Sequence, residues 1–270
     1  METRATRTVL WGFAVVVTAF LWIPLLIMAV YAFNSSNIQS WPIPGLSTKW
    51  FREAWHDDDV RTALWLSFRA GLFATVVALV LGSLAAFGLS RARFFGKDSI
   101  SFLFVLPIAL PGIITGLALN SFFVIGGVSF SLWTIVIGHA TFCVVVVYNN
   151  VLARLRRTSG SFFEASADLG ATGFQTFRYV TLPMVGTALV AGALLAFALS
   201  WDEIVVTYFT AGAQNTLPLL LYGFIRQGQN LPIVNAIALV VILVSAIPVY
   251  IAQRLAGGDV GGGARGRGGT

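Results

Sequence analysis

Charge is what this sequence lacks. Of its 270 residues only 10% are Asp, Glu, Lys or Arg, where a soluble domain carries about 25%. Hydrophobic residues make up 57%, and mean hydropathy is +0.83. That balance excludes an ordinary water-facing surface and reads as an integral membrane protein. Cysteine is nearly absent too. Cys143 stands alone in the apolar run TFCVVVVY, so no internal disulfide can form, and it reads as a small buried hydrophobe. Histidine is limited to His56 and His139, in different segments. No set of metal ligands, and no pairing of nucleophile with base, is expected at membrane depth. No G-x-x-x-x-G-K-[ST] loop occurs, so the chain carries no phosphate-cradling ATP site of that kind. Neither catalytic residues nor a metal nor a cofactor of its own is expected.

The charge that is present is lopsided. The net charge is +6 and the pI is about 10.0. The basic residues cluster at the ends of apolar segments, which favours a membrane explanation over nucleic acid. Six stretches are long enough to cross a bilayer as helices of about 20 residues: 9–33, 64–90, 101–125, 132–152, 185–209 and 233–254. The fold class expected is therefore all-α and polytopic. The first apolar run is too long for a signal peptide and reads as a retained span. Six spans put both termini on one side. That side holds Arg4, Arg7, Arg91, Arg93, Lys97, Arg154, Arg156, Arg157, Arg178, Arg254, Arg265 and Arg267. The other holds Lys49, Arg52, Arg61 and Arg226, with Arg69 near a span end. By the positive-inside rule both termini and the loop 153–184 are cytoplasmic. Residues 1–8 form a short cytoplasmic start, 9–255 the membrane domain, and the glycine-rich 256–270 a tail with no apolar face to bury. In the outer loop 34–63, HDDD (His56 to Asp59) reads as solvated loop or helix cap rather than a metal site. Pro107 and Pro111 interrupt the third span, which predicts a broken or kinked helix.

One polar stretch stands out: SFFEASADLGATGFQTFRYVTLP, residues 161–183. Ser161 and Glu164 have the spacing of a capping box, and Thr172 and Gln175 repeat it. Phe162, Ala165 and Leu169 would share one apolar face. Gly170 would supply a left-handed turn, and a second short helix would run to about Val180 before Pro183. Helix, sharp turn, helix, with few charges, suits either docking into a groove of another protein or lying on lipid headgroups.

A family resemblance favours the first. Glu164-Ala165-Ser166, three residues, Gly170, nine residues, then Val180-Thr181-Leu182-Pro183 resembles the E-A-A-x-x-x-G, nine residues, I-x-L-P motif of ABC importer permeases. Ser166 and Val180 are the departures. The resemblance implies a type I importer permease fold in which this loop is the coupling helix docked on an ATPase, with Glu164, Ala165, Ser166, Asp168, Gly170, Leu182 and Pro183 as its coupling residues. YAFNSS, GHATFCVVVVYNN and LSWDEIVVTYFTAG extend the likeness to the second permease subunit of spermidine/putrescine importers. That implies a second permease partner in a heterodimer, two cytoplasmic ATP-binding subunits carrying ATP and Mg, an extracytoplasmic substrate-binding protein, and the inner (plasma) membrane of a bacterium.

A polyamine is chemically sensible for the fifth span. Asp202 and Glu203 are its intramembrane acids, flanked by Trp201 and Tyr208. An acid there is costly unless it faces water or a partner, and aromatics attract cations. Adjacent helical residues point about 100° apart, so one acid rather than both would face the path; pairing with a basic or polar group at the subunit interface is the alternative. His139 is expected to hydrogen-bond a neighbouring helix, and 216–230 to form a helix at the outer surface. Two other readings remain: a permease for another small cationic or amino-acid-like solute, and a self-sufficient secondary transporter. The latter leaves 161–183 unexplained.

Overall fold

The structure, a computed structural model, describes residues 4–91 and 95–257. The expected tail from residue 258, and Arg93, Arg265 and Arg267, lie outside the described residues. Those described are helical almost throughout, and they group into two compact units. Among the described residues one comprises 4–61 with 221–244, the other 62–91 and 95–220 with 245–257.

The first unit opens with α1 (Arg4–Ala32), whose large side chains face outward along its length. An apolar helix exposed all round suits lipid or a partner subunit. The loop after it is ordered around Asn34, which is 1% exposed. Its carbonyl accepts from the Trp50 indole at 2.6 Å, and its amide side chain closes the turn to Ser36 and Ile38. Trp50 belongs to α2 (Lys49–His56). The HDDD stretch resolves as a cap: Asp57 Oδ1 accepts from the amides of Asp59 and Val60 at the start of α3 (Asp58–Arg91).

In the second unit α3 is followed by α4 (Lys97–Ala109) and α5 (Gly112–Ile125), which meet at 103°. The third expected span is thus broken at Leu110–Pro111, where Pro111 has no amide to continue the ladder. Next comes α6 (Leu132–Arg157), started by a capping box of Ser131 and Thr134 and ending on Arg154, Arg156 and Arg157. Those cations suit the negative end of the helix dipole. Two short helices follow, α7 (Ser161–Asp168) and α8 (Gly173–Thr176). A π turn, Phe177–Thr181, leads without a break into α9 (Leu182–Trp201). Pro183 therefore does not stop the second short helix. The widened turn lies just ahead of it, where its ring would crowd a regular α-helical carbonyl.

After α9 the chain continues through α10 (Val205–Thr210), α11 (Leu217–Gln227) and α12 (Leu231–Gly257), of which residues 221–244 belong to the first unit. The expected fifth span, 185–209, is not continuous but breaks at 202–204. Helix α11 falls in the expected segment 216–230. The core of the second unit packs Ala78 and Ala86 of α3, Cys143, Val147, Tyr148 and Val151 of α6, and Ala196 of α9. Small residues let these helices approach closely, as suits packing in lipid. Among the described residues four helices are long and apolar enough to cross a membrane, five if the bent pair is one span. The apolar stretch of α12, Leu231–Ala246, is shorter.

Candidate functional site

Two places in the second unit carry the sequence motifs. The first is the loop between α6 and α9. Helix α7 does not use Ser161 as its cap. Gly160 takes that position with no side-chain capping bond, and the amides of Phe163 and Glu164 both reach the Gly160 carbonyl. Ser161 is already inside the first turn, so its hydroxyl meets that of Ser159 instead, at 2.8 Å. The expected box of Ser161 with Glu164 is absent because the helix begins one residue early.

The end of α7 is as expected. Gly170 has φ +73°, where glycine carries no Cβ penalty. The Ala171 amide bonds the Ser166 carbonyl and the Gly170 amide bonds that of Ala167. These are the two bonds of a Schellman motif. Thr172 and Gln175 form the second capping box in full, at 3.3 and 2.7 Å. Ser166 is turned inward, 7% exposed, with its hydroxyl 2.8 Å from that of Thr176. It pins α7 to α8 rather than presenting an outer surface. Phe177 stacks edge-on against Phe87 of α3 at 5.4 Å, and the Arg154 guanidinium donates to the Met184 carbonyl. The pair is thereby fixed to the long helices.

What it turns outward is apolar. Phe162 is 56% exposed, Leu169 88% and Phe174 76%, with Glu164, Ala165 and Asp168 exposed between them. Leu182 is half-buried and Pro183 exposed at the start of α9.

The second place is where the two broken spans meet. Val205, first residue of α10, closes the space beside Gly112, first residue of α5, at 3.6 Å from where a Cβ would sit. One turn on, a Cβ on Gly116 would lie 2.6 Å from the Phe209 ring. Only glycine permits that approach. Asn120 donates to the Phe209 carbonyl at 2.7 Å, and Thr134 of α6 to that of Thr210 at 2.8 Å. These polar contacts satisfy carbonyls at the end of α10 that have no helical partner.

The two acids at the break differ. Glu203 is half-buried and caps α10: its carboxylate accepts from the Val206 amide at 2.8 Å. A negative charge is favourable at that helix start. Asp202 is exposed and sits at the C-cap of α9. There a negative charge adds to the negative helix end and is locally unfavourable. Its side chain makes no ion pair among the described residues. Trp201 packs its ring against Phe197 at 5.7 Å. Tyr208 is exposed on α10. Because the helix breaks between them, Trp201 and Tyr208 do not share the face of one continuous helix.

His139 makes the expected interhelical bonds, and they span the break. It is 1% exposed. Nδ1 lies 2.6 Å from Ser200 Oγ of α9, and Nε2 lies 2.8 Å from Thr207 Oγ1 of α10. The Thr207 hydroxyl also donates to the Glu203 carbonyl at 2.7 Å. Its proton is therefore committed, so it accepts from Nε2–H, and Ser200 donates to Nδ1. Ser200, Thr207 and Asn120 were not distinguished by the sequence. No signal marks them beyond a polar residue on an apolar helix.

Long apolar helices, four of them fit to cross a membrane or five if the bent pair is one span, are the architecture of a membrane-embedded component. Comparison with known proteins makes this specific. Residues 78–257 match the family described as "Binding-protein-dependent transport system inner membrane component", and the chain belongs to that family. It is 38% identical over 245 residues to the "Putrescine transport system permease protein PotI" of Escherichia coli (strain K12), covering 87% of this chain and 86% of that protein. It is 34% identical over 258 residues to the "Spermidine/putrescine transport system permease protein PotC" of Shigella flexneri, covering 92% and 97%. The fold resembles that of a bacterial ABC transporter involved in import of the acidic polysaccharide alginate. That match has a TM-score of 0.70 at 19% identity and covers 94% of this chain and 98% of the other.

Proposed function

We propose that this chain is one permease subunit of an ATP-driven polyamine importer, with Asp202 as the carboxylate that meets the cation. The observation that carries the substrate class is the placement of Asp202. It is an exposed acid at the C-terminal end of a broken membrane helix, where carbonyl dipoles and carboxylate both attract positive charge. Relatives at 38% and 34% identity carry putrescine and spermidine in their names. A polyamine alternates ammonium groups with methylene runs. An acid next in the chain to Trp201, whose ring pairs with that of Phe197, suits both parts. Glu203, committed to capping α10, supports the local fold, and Tyr208 borders the path.

The loop 161–183 is the coupling device in this reading. Phe162, Glu164, Ala165, Asp168 and Leu169 present the docking face. Gly170 sets the angle of the pair, and Ser166 holds it from inside. The Leu182–Pro183 step carries the movement into α9. The docking partner is one of two cytoplasmic ATPase subunits, which bind ATP and Mg; this chain binds neither. A second permease subunit completes the path as a heterodimer, and an extracytoplasmic binding protein delivers the solute. Both termini lie on the cytoplasmic side, as the distribution of basic residues favours. Closure of the ATPase pair moves the coupling helices and opens the path outward. Hydrolysis resets it.

The test is uptake of labelled putrescine and spermidine in cells lacking other polyamine importers. The cells would express this chain with its neighbouring transporter genes, with amino acids and sugars as competitors. The expected result is saturable polyamine uptake, resistant to those competitors and lost with an ATPase-dead partner. An intact complex that takes up another solute and no polyamine would remove the substrate from the proposal and keep the importer.

A further inference from the structure

We propose that His139 is a positioning residue: a latch across the break of the fifth span that holds Asp202 in register for the transported cation. This rests on the reading of Asp202 above. The geometry is specific. A helix that stops at Trp201 and restarts at Val205 has lost the backbone ladder that would keep its halves aligned. Only contacts from other helices can restore that alignment. His139 supplies one to each half, to Ser200 two residues before Asp202 and to Thr207 four residues after Glu203.

The bonds form a chain. Ser200 donates to His139, His139 to Thr207, and Thr207 to the Glu203 carbonyl, while the Glu203 carboxylate holds the Val206 amide. Each group in the chain uses the proton it has. Asp202 lies inside this loop of bonds and takes no part in it, so its side chain is left for something else. The neighbouring residue, Gly138, lets α6 approach close enough for the contact, with Val206 and Thr210 at 3.0 and 3.3 Å from where its Cβ would be. A bulky apolar residue in place of His139 would fill the space and leave two buried hydroxyls to re-pair locally. The two halves would then be free to shift.

Two measurements on the assembled transporter separate latch from substrate. In the first, spin labels are placed on cysteines introduced at Leu195 of α9 and Tyr208 of α10, both exposed. Cys143 is fully buried, so it does not compete for label. The wild-type background should give one narrow distance distribution, and His139→Leu a broadened or shifted one. The second is putrescine uptake without labels. His139→Leu should raise the half-saturating concentration about tenfold, the effect of roughly 1.4 kcal/mol, with a smaller change in maximal rate. His139→Gln, which can still reach Thr207, should fall between.

Should His139→Leu fail to assemble, Ser200→Ala and Thr207→Val each remove one arm and leave the imidazole in place. If the latch exists, the double variant should be little worse than the poorer single, because either cut opens it. An unchanged distance distribution in His139→Leu, or in the double variant, overturns the latch. A broadened distribution with unchanged half-saturation overturns the positioning role. If wild-type complexes do not transport putrescine at all, the polyamine reading fails, and the distance measurement still decides the latch.

Discussion

The two regions of interest invert each other. The loop between α6 and α9 is built of helix caps and turns and turns its apolar side chains outward: Phe162, Leu169 and Phe174 are all more than half exposed. The junction of the broken spans is built inside an apolar bundle and turns polar groups inward: His139, Ser200 and Thr207 are all buried. Exposed apolar surface asks for a partner. Buried polar groups ask for complete internal hydrogen bonding, because the bilayer offers none. The first region thus leaves apolar side chains uncovered, and the second pairs His139, Ser200 and Thr207 within this chain. Helix α9 runs directly from one region to the other.

The largest effect should come from breaking the loop's turn. Gly170→Val places a β-branched residue at φ +73°, a strain of about 1–3 kcal/mol. The Schellman bonds would be given up and α7 would swing away from α8. ATP-dependent uptake should fall to background, while membrane insertion and assembly of the spans persist. Normal uptake by that variant would show that the loop's geometry is not what couples it. At the other region the two acids should separate. Removing one charge contact near water is worth about 1 kcal/mol, roughly fivefold in affinity. Asp202→Asn should therefore weaken uptake several-fold, and more for tetravalent spermine than for divalent putrescine. Glu203→Gln should lower stability without that dependence on valence. Equal valence dependence in both variants would erase the distinction between free acid and cap.

Much of the loop was legible in sequence because its signals are local. Gly170 and the Thr172–Gln175 box are decided by neighbours within a few residues, and both form. Pro111 marked the break in the third span for the same reason. The break in the fifth span carried no such mark. SWDEIV contains neither proline nor glycine, and its halves are held by His139 and α5, which are remote in sequence. A hydropathy window reads straight across it. The count of spans was blurred likewise, since 103° between α4 and α5 and the short apolar part of α12 are invisible to composition. The motif marks Ser166 as a coupling residue, and the structure turns it inward. Its burial depends on where α8 folds back, which the motif does not state.

The smallest effect is also the sharpest comparison of pattern with geometry. Ser161 and Thr172 look equivalent in sequence, each a hydroxyl three residues before Glu or Gln. Only Thr172 caps a helix; Ser161 lies inside the first turn of α7. Loss of a real N-cap costs about 0.5–2 kcal/mol, whereas an exposed substitution elsewhere stays within about 0.5 kcal/mol. Thr172→Ala should therefore loosen the loop. Amide hydrogen exchange across 173–176 in the detergent-solubilised complex should speed up severalfold, with a partial loss of ATP-coupled uptake. Ser161→Ala should leave both unchanged, because Gly160 already starts the helix through its carbonyl. If the two alanine variants behave alike, the helix start at Gly160 is wrong, and the spacing of Ser161 and Glu164 was the better guide.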